Sequence, residues 1–194
     1  YVFNQLSAPS GGGMWRKNRR NNNDGSFGVD LNRNYNYEWG LDDNGSSPYT
    51  DGNTYRGPEA FSEPEAQAMQ FFCEQHNFQI ALNYHAAGNM LVYPWGFIPF
   101  EETDDFNLYR QFAAILTHEN QFKYGTSNET VGYLVNGGSD DWMYGEQTSK
   151  NKILSLTPEI GDRYFDGFWP TQDRIIPLAK STVYQNITAA QLLH

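Results

Sequence analysis

Short apolar runs alternate along the chain with longer stretches in which apolar residues recur at helical spacing. The runs at residues 79–84, 90–93 and 153–157 predict three buried strands. Pro94 and Pro158 follow the second and third runs, and we expect each to end its strand because proline has no backbone N–H group. The alternation of strands with helices indicates an α/β layered fold.

Apolar spacing predicts four helices. The first begins at Ser62, because Ser62 and Glu65 have the spacing of a capping box. A second covers about residues 106–116, a short third begins at Ser139, and the last spans residues 171–193. The side chains expected to face the interior in the first and last helices are Ala66, Met69, Phe72 and Cys73, and Ile176, Ala179, Val183, Ile187 and Ala190.

The first sixty residues differ from the remainder of the chain. They are rich in Asn, Gly, Ser and Arg and show little periodicity, so they are predicted to be mostly loop. No low-complexity stretch has the length of an interdomain linker. The 194 residues are therefore interpreted as one domain, 1–194.

Composition excludes several classes of function. The chain has 13 basic and 23 acidic residues, a net charge of -10, which repels phosphate and disfavours a nucleic-acid partner. No apolar run approaches the ~20 residues that span a bilayer, so no membrane-spanning segment is expected. Cys73 is the single cysteine, which excludes an internal disulfide and a cysteine-based zinc cluster.

Two candidate reactive side chains follow predicted strands. His85 comes after the first strand and Glu159 after the third. Sites of α/β folds lie at strand ends, and a histidine ligand with a glutamate base is the combination used in metal-assisted hydrolysis. The alternative is that His85 is a hydrogen-bonded histidine and Glu159 a solvated carboxylate.

Basic and amide side chains in the predicted loops add a second kind of chemistry. Arg16 lies in a cationic segment at residues 15–20, and Asn32 precedes Arg33. A guanidinium group binds a carboxylate through two parallel hydrogen bonds, and a neighbouring amide orients it. The alternative is that these are solvated loops with structural ion pairs.

Six segments occur in the order in which one known family has them: Trp15-Arg16-Lys17, Gly28 to Asn34, Asn83-Tyr84-His85, Tyr93-Pro94-Trp95-Gly96, Tyr133 ahead of Gly137 to Trp142, and Thr157-Pro158-Glu159. Together they resemble the zinc metallocarboxypeptidases of the funnelin type, the carboxypeptidase A, B and T family. The resemblance implies a three-layer α/β fold with a mixed sheet, phosphorylase/hydrolase-like, and a zinc exopeptidase that hydrolyses the C-terminal peptide bond of peptides and proteins.

The resemblance implies a role for each candidate. His85 is the third zinc ligand, and Glu159 is the general base that takes a proton from zinc-bound water. Arg16 polarises the scissile carbonyl and stabilises the oxyanion. Asn32 and Arg33 bind the terminal carboxylate of the substrate, which restricts the reaction to chain ends.

Three further residues take roles from the same resemblance. Tyr133 is the mobile phenol that closes over the bound residue, and Asp30 orients a zinc-binding histidine. Asp140 lies at the base of the specificity pocket, where an acidic residue favours a basic or mixed preference for the terminal side chain. The alternative is that Asp140 caps a helix.

The chain departs from the family in one respect. The other two zinc ligands of the family lie in an upstream His-x-x-Glu motif, which these 194 residues do not contain. The chain is therefore expected to be the C-terminal part of a catalytic domain, truncated on its N-terminal side. The complete domain would hold one zinc ion, and this chain alone would bind zinc weakly or not at all and hydrolyse nothing. The strand before His85 would be an open sheet edge, which invites self-association.

Two other functions remain open. One is a catalytically dead relative that binds peptide C-termini through Arg16, Asn32 and Arg33. The other is an acylase of the desuccinylase type, which shares the zinc arrangement. Peptide or protein C-termini are the expected partners, and the resemblance suggests a secreted or periplasmic location.

Overall fold

The computed structural model of the protein describes residues 15–192. The predictions for residues 1–14 and for the last helix beyond 192 lie outside this range. The described helices and strands, in chain order, are a 3₁₀ helix at Leu31–Arg33, α1 at Pro64–Gln75, β1 at Ile80–Leu82, β2 at Met90–Val92, α2 at Phe106–Leu116, β3 at Lys123–Gly125, α3 at Ser139–Gly145, β4 at Leu154–Glu159, α4 at Gln172–Lys180 and α5 at Val183–Gln191.

The four described strands form one mixed sheet in the order β1-β4-β2-β3. β1 is parallel to β4, β2 is antiparallel to β4, and β2 is parallel to β3. β4 is the longest strand, and all six of its residues are buried. β1 is at the edge of the described sheet, as predicted. Self-association through that edge stays a prediction.

Apolar side chains of β4 and of Ile153, the residue just before it, contribute to two core clusters. Leu154 and Leu156 belong to a cluster with residues of β2, α2 and α5, including Leu91, Tyr109 and Ala189. Ile153 belongs to a second cluster with residues of α1 and α3, the others being Tyr35, Cys73, Trp142 and Met143. Helices on both faces of a sheet give the α/β layered fold that the sequence predicted.

Two strand predictions need correction. Pro158 does not end its strand, because pairing continues to Glu159 and Pro158 lies opposite Leu91. The Pro158 carbonyl still accepts a hydrogen bond from His85 N at 2.8 Å, so pairing continues although Pro158 has no N–H group to donate. The third run, predicted to end at 157, is therefore longer than expected. β3 was not predicted, since its sequence Lys-Tyr-Gly has no apolar run.

The predicted capping box at Ser62 is wrong. Helix α1 begins at Pro64 after Glu63, and no side chain caps it. The Ser62 hydroxyl instead donates to Glu63 Oε1 at 2.7 Å and accepts from the Asn34 amide at 3.0 Å. The inner face of α1 is also narrower than predicted. Ala66 and Cys73 are buried, whereas Met69 and Phe72 are exposed.

The single C-terminal helix that the sequence predicted is two helices, α4 and α5, separated at Ser181 and Thr182. The predicted inner stripe is wrong, since Ile176, Val183 and Ile187 are exposed. The buried residues of α5 are Gln185, Thr188 and Ala189. Within residues 15–192, no helix combines the length and the apolar character that crossing a membrane requires.

Candidate active site

His85 and Glu159 lie side by side at the carboxyl ends of the neighbouring strands β1 and β4. The strands β1 and β4 are parallel, so their carboxyl ends meet at the same edge. His85 N donates to Pro158 O at 2.8 Å, and Ile160 N donates to His85 O at 2.9 Å. These two backbone hydrogen bonds enclose Glu159 and hold both residues in register.

The two side chains are close enough to act on one reacting group. His85 Nδ1 is 4.0 Å from Glu159 Oε1. Glu159 is buried, and this burial raises the pKa of its carboxyl group, whereas the charges of His85 and Arg16 lower it. A carboxylate with a raised pKa is suited to accept and return a proton near neutral pH.

Asp30 lies between two of the candidate cations. Arg16 Nη2 is 2.8 Å from Asp30 Oδ2, and Arg33 Nη1 is 3.8 Å from the same atom. The contact with Arg16 lacks hydrogen-bond geometry, so Asp30 Oδ2 is a buried acceptor without a donor among the described residues. Asp30 Oδ1 accepts from Asn32 N and thereby begins the 3₁₀ helix that carries Asn32 and Arg33.

Arg33 is held rigidly inside the protein. Its Nε donates to Gly45 O at 2.8 Å, and its Nη1 donates to Asn32 O at 2.7 Å. Burial lowers the pKa of Arg33, and the neighbouring Asp30 raises it. Asn32 Oδ1 accepts from Ser139 N at 2.9 Å, which ties the amide to the first residue of α3. The guanidinium and amide groups are thus preorganised.

Seven of the eight candidate site residues, all except Asp30, line one cavity of about 790 Å³, a volume that includes space open to solvent. Asp140 is buried in its wall and accepts a hydrogen bond from Thr157 at 3.4 Å. Tyr133 is half exposed at the same cavity. The seven residues are Arg16, Asn32, Arg33, His85, Tyr133, Asp140 and Glu159.

The cavity also contains residues that the sequence analysis missed. Apolar side chains cover part of its wall, and Arg163 and Phe168 lie in the loop after β4. The only signal for Arg163 was its position four residues after Glu159, at a strand end where α/β folds place their sites. The apolar wall residues are Met90, Val92, Val131 and Val135.

A buried carboxylate, an imidazole and two guanidinium groups in one cavity suit hydrolysis of a substrate that carries a terminal carboxylate. Comparisons with known proteins identify a family. Residues 5–185 match the family model described as zinc carboxypeptidase. The chain belongs to the zinc carboxypeptidase family.

Two relatives illustrate its position in the zinc carboxypeptidase family. Carboxypeptidase B of Astacus astacus is 33% identical over 178 residues, which cover 87% of this chain and 57% of that protein. Mast cell carboxypeptidase A of Mus musculus is also 33% identical over 178 residues, 88% of this chain and 41% of that protein. The chain thus spans about half the length of the curated relatives it matches.

Solved structures support the same fold. Bovine thrombin-activatable fibrinolysis inhibitor, in complex with tick carboxypeptidase inhibitor, superposes with a TM-score of 0.78 and 25% identity, covering 90% of this chain and 60% of that one. The carboxypeptidase A from Helicoverpa armigera gives a TM-score of 0.77 with 24% identity, over 92% of this chain and 46% of that one. The fold is a carboxypeptidase fold, partial relative to these proteins.

The family implies a zinc ion in the complete domain, and two features of the structure fit one. His85 supplies an imidazole beside the candidate base. Asp30 Oδ2 is a buried acceptor without a hydrogen-bond donor among residues 15–192, which is what a zinc-binding histidine needs for its second ring nitrogen. Residues 15–192 hold no group of three or more His, Cys, Asp or Glu side chains placed to bind a metal.

Proposed function

We propose that the protein containing this chain is a metallocarboxypeptidase that hydrolyses the C-terminal peptide bond of peptides and proteins. One observation supports this above all. A buried carboxylate next to an imidazole shares a cavity with a buried, preoriented arginine. Family membership supports the same reaction class. The secreted or periplasmic location is proposed from the resemblance.

Arg33 and Asn32 bind the terminal carboxylate of the substrate in this proposal. Arg33 is fixed by the carbonyls of Gly45 and Asn32, so little side-chain freedom is lost when a carboxylate binds. Such a clamp rejects mid-chain bonds because they offer no carboxylate. Arg16 stabilises negative charge on the carbonyl oxygen, and Asp30 holds its guanidinium group near that position.

Glu159 takes a proton from the attacking water and returns it to the leaving amine. Burial raises the pKa of Glu159, which makes the protonated form a competent acid in the second step. His85 would hold the zinc ion of the complete domain, and Asp30 would accept a hydrogen bond from a further zinc-binding histidine. When bound, the zinc ion supplies Lewis-acid polarisation.

Asp140 gives the proposed pocket a negative wall. Its carboxylate is buried and lies beside Thr157 and the apolar residues of the cavity. A cationic side chain of the terminal residue would gain an ion pair there, and the apolar wall would contact its methylene groups. The preference is therefore basic or mixed, and Tyr133 covers the bound residue.

The decisive test is Glu159→Gln in the complete zinc-loaded protein. Glutamine keeps the shape of the side chain but cannot take a proton, so kcat for a peptide ending in lysine falls by at least about a thousandfold. Peptide binding persists, because the clamp residues are unchanged. Glu119→Gln removes an exposed carboxylate outside the cavity and serves as the matched control. Equal activity of both variants would contradict the proposal.

The second candidate function, a module that binds peptide C-termini without hydrolysis, is favoured by the rigid Arg33 clamp. Hydrolysis by the wild type separates the two candidate functions. A binding module shows no hydrolysis in the wild type, and Arg33→Met abolishes its affinity for a peptide with a free C-terminus. An affinity unchanged by amidation of the peptide would contradict both candidates.

The 194-residue chain alone is expected to bind zinc poorly, and stoichiometric zinc in the purified chain would contradict that expectation.

A further inference from the structure

We propose that Arg163 is a specificity-determining residue that binds acidic side chains of the substrate residues preceding the scissile bond. The inference rests on the proposed exopeptidase function, and it adds a substrate class to it. The preferred substrates are peptides in which Glu or Asp precedes the residue that is removed.

The first argument compares the three arginines that line the cavity. Arg16 is 2.8 Å from Asp30 Oδ2, and Arg33 lies 3.8 Å from the same atom. Arg163 is exposed and makes no ion pair or hydrogen bond with any residue in the range 15–192. Its charge nevertheless acts on the site, since it lowers the pKa of Glu159. Of these three guanidinium groups, Arg163 is the one available to an additional carboxylate.

The second argument is that the loop carrying Arg163 is held in one conformation. Asp162 Oδ1 accepts hydrogen bonds from Tyr164 N and Phe165 N, both at 2.8 Å. These two hydrogen bonds span Arg163, which lies immediately after Asp162. The carbonyl of Asp162 also accepts from Asp166 N at 2.8 Å and from Gly167 N at 3.0 Å. Residues 162–167 therefore form a closed turn with Arg163 at its second position.

The turn is also fastened to the body of the protein at two points. Arg174 of α4 donates to both carboxylate oxygens of Asp166, at 2.6 and 3.2 Å, and Asp166 Oδ2 accepts from Asp162 N at 2.9 Å. On the other side, Gly161 O accepts from Gly88 N at 2.7 Å. A guanidinium group on a fixed loop loses less conformational entropy on binding than one on a mobile loop.

The third argument concerns the path of a bound peptide. Arg33 and Asp140 are buried, so the proposed terminal residue lies in the closed part of the cavity. Arg163 and Phe168 line the same cavity but are exposed, which places them at its mouth. A peptide whose C-terminus is bound at Arg33 must leave through this mouth. The residues before the scissile bond therefore pass Arg163, and an acidic side chain there forms an ion pair.

The test compares kcat/KM of the complete zinc-loaded protein for peptides with Glu-Glu or Gln-Gln before the last residue. Each pair is made with C-terminal lysine and with C-terminal phenylalanine, so that the choice of the last residue does not decide the result. The wild type is expected to prefer the Glu-Glu peptide by about fivefold. Arg163→Gln reduces this ratio to about one, and Arg163→Glu inverts it. Both peptides meet the same Glu159, so a change in its protonation leaves the ratio unchanged.

Arg110→Gln is the matched control, because it removes an exposed arginine of α2 that does not line the cavity. This variant retains the fivefold ratio. The wild-type ratio also falls as ionic strength is raised from about 0.05 M to about 0.5 M, since an exposed ion pair is screened. A wild-type ratio of one, or a ratio that Arg163→Gln does not change, overturns the role of Arg163 while hydrolysis upholds the proposed function.

If no peptide is hydrolysed, the proposed exopeptidase function fails and the inference is judged by binding. Calorimetric titration of the 194-residue chain with the Glu-Glu and Gln-Gln peptides then measures the same ratio as affinities. A fivefold preference that disappears in Arg163→Gln supports the role of Arg163. Equal affinities, or no detectable affinity for either peptide, overturn it.

Discussion

Residues 15–62 and the helices α4 and α5 are opposite in character. The first region contains one short 3₁₀ helix and no strand among its described elements, yet it buries charged and amide side chains. The second region is regular helix, yet it exposes Ile176, Val183 and Ile187. Regular secondary structure is therefore a poor guide to which parts of this protein have one well-defined conformation. Whether the buried polar groups have hydrogen-bond partners is a better guide.

Asn34 shows how the loop region is determined. Its side-chain amide donates to Arg56 O at 2.8 Å, to Glu59 O at 3.0 Å and to the Ser62 hydroxyl at 3.0 Å, and its Oδ1 accepts from Glu63 N at 3.1 Å. One buried amide thus joins the 3₁₀ helix to the start of α1. Because the neighbouring Arg33 is in the site, this network also positions the proposed carboxylate clamp.

The helical region shows the reverse. Gln185 is fully buried in α5, and its side-chain nitrogen and oxygen have no hydrogen-bond partner among the described residues. On the outward side, Ile187 is 56% exposed. This region therefore buries a polar group that has no partner within residues 15–192 and exposes an aliphatic one. Its residues contribute less to a unique structure than those of the loop region.

The largest expected effect is that of Asn34→Ala. It leaves the Glu63 N–H group without a partner inside the protein and removes one of the two donors to each of the Arg56 and Glu59 carbonyls, at a cost of about 3 kcal/mol in the free energy of unfolding. Urea denaturation at neutral pH measures this. Asn36→Ala, an exposed asparagine two residues further along, is the control and is expected to stay within ~0.5 kcal/mol. A cost below about 1 kcal/mol for Asn34→Ala would remove the contrast between the two regions.

The structure brings the candidate site residues of the sequence together, whereas the predicted ends and inner faces of the helices needed correction. His85, Glu159, Arg16 and Arg33 were singled out because the chemistry of a side chain is carried by the residue itself. Two strand ends were enough to bring His85 and Glu159 together. What the sequence could not supply was Arg163, since a loop arginine has no periodicity and its position depends on the closed turn around Asp162.

The predicted inner stripe of the last helix failed for a physical reason. Helical periodicity reports which side chains share a face, but it does not report which neighbouring element covers that face. Ile176, Val183 and Ile187 do fall on the exposed side, and the interior receives Gln185 and Thr188 instead. The capping box at Ser62 failed similarly, because the buried Asn34 takes up the Ser62 hydroxyl.

Glu63→Gln is expected to have the next largest effect. Burial alone raises the pKa of Glu63, but hydrogen bonds from Asn18, Ser62 and Arg20 outweigh it and hold the pKa below its ordinary value of 4.5. A pKa lower in the folded than in the unfolded state stabilises the protein above pH 4.5, and this contribution is lost as pH falls through the lowered pKa.

The substitution costs about 2 kcal/mol at pH 7, because hydrogen bonds to a charged group are lost. The difference between wild type and Glu63→Gln shrinks as pH falls below 4.5, which urea denaturation at a series of pH values measures. Glu65→Gln, the neighbouring acid in the first turn of α1, is the matched control. A difference that stays constant down to pH 3 would show that the charge of Glu63 contributes nothing, and would weaken the polar network as the determinant of this region.

The smallest expected effect is that of Ile187→Ser, which tests the other half of the comparison. An aliphatic side chain that is 56% exposed has little burial to lose, so the free energy of unfolding changes by less than ~0.5 kcal/mol. Leu156→Ala in β4, fully buried in the sheet core, is the contrasting variant and costs about 3 kcal/mol. If Ile187→Ser costs more than about 1 kcal/mol, the exposed face of α4 and α5 that carries Ile176, Val183 and Ile187 is covered in solution. Light scattering on the same variants then decides whether a second copy covers it, because the wild type would be larger than a monomer and Ile187→Ser would return it to one.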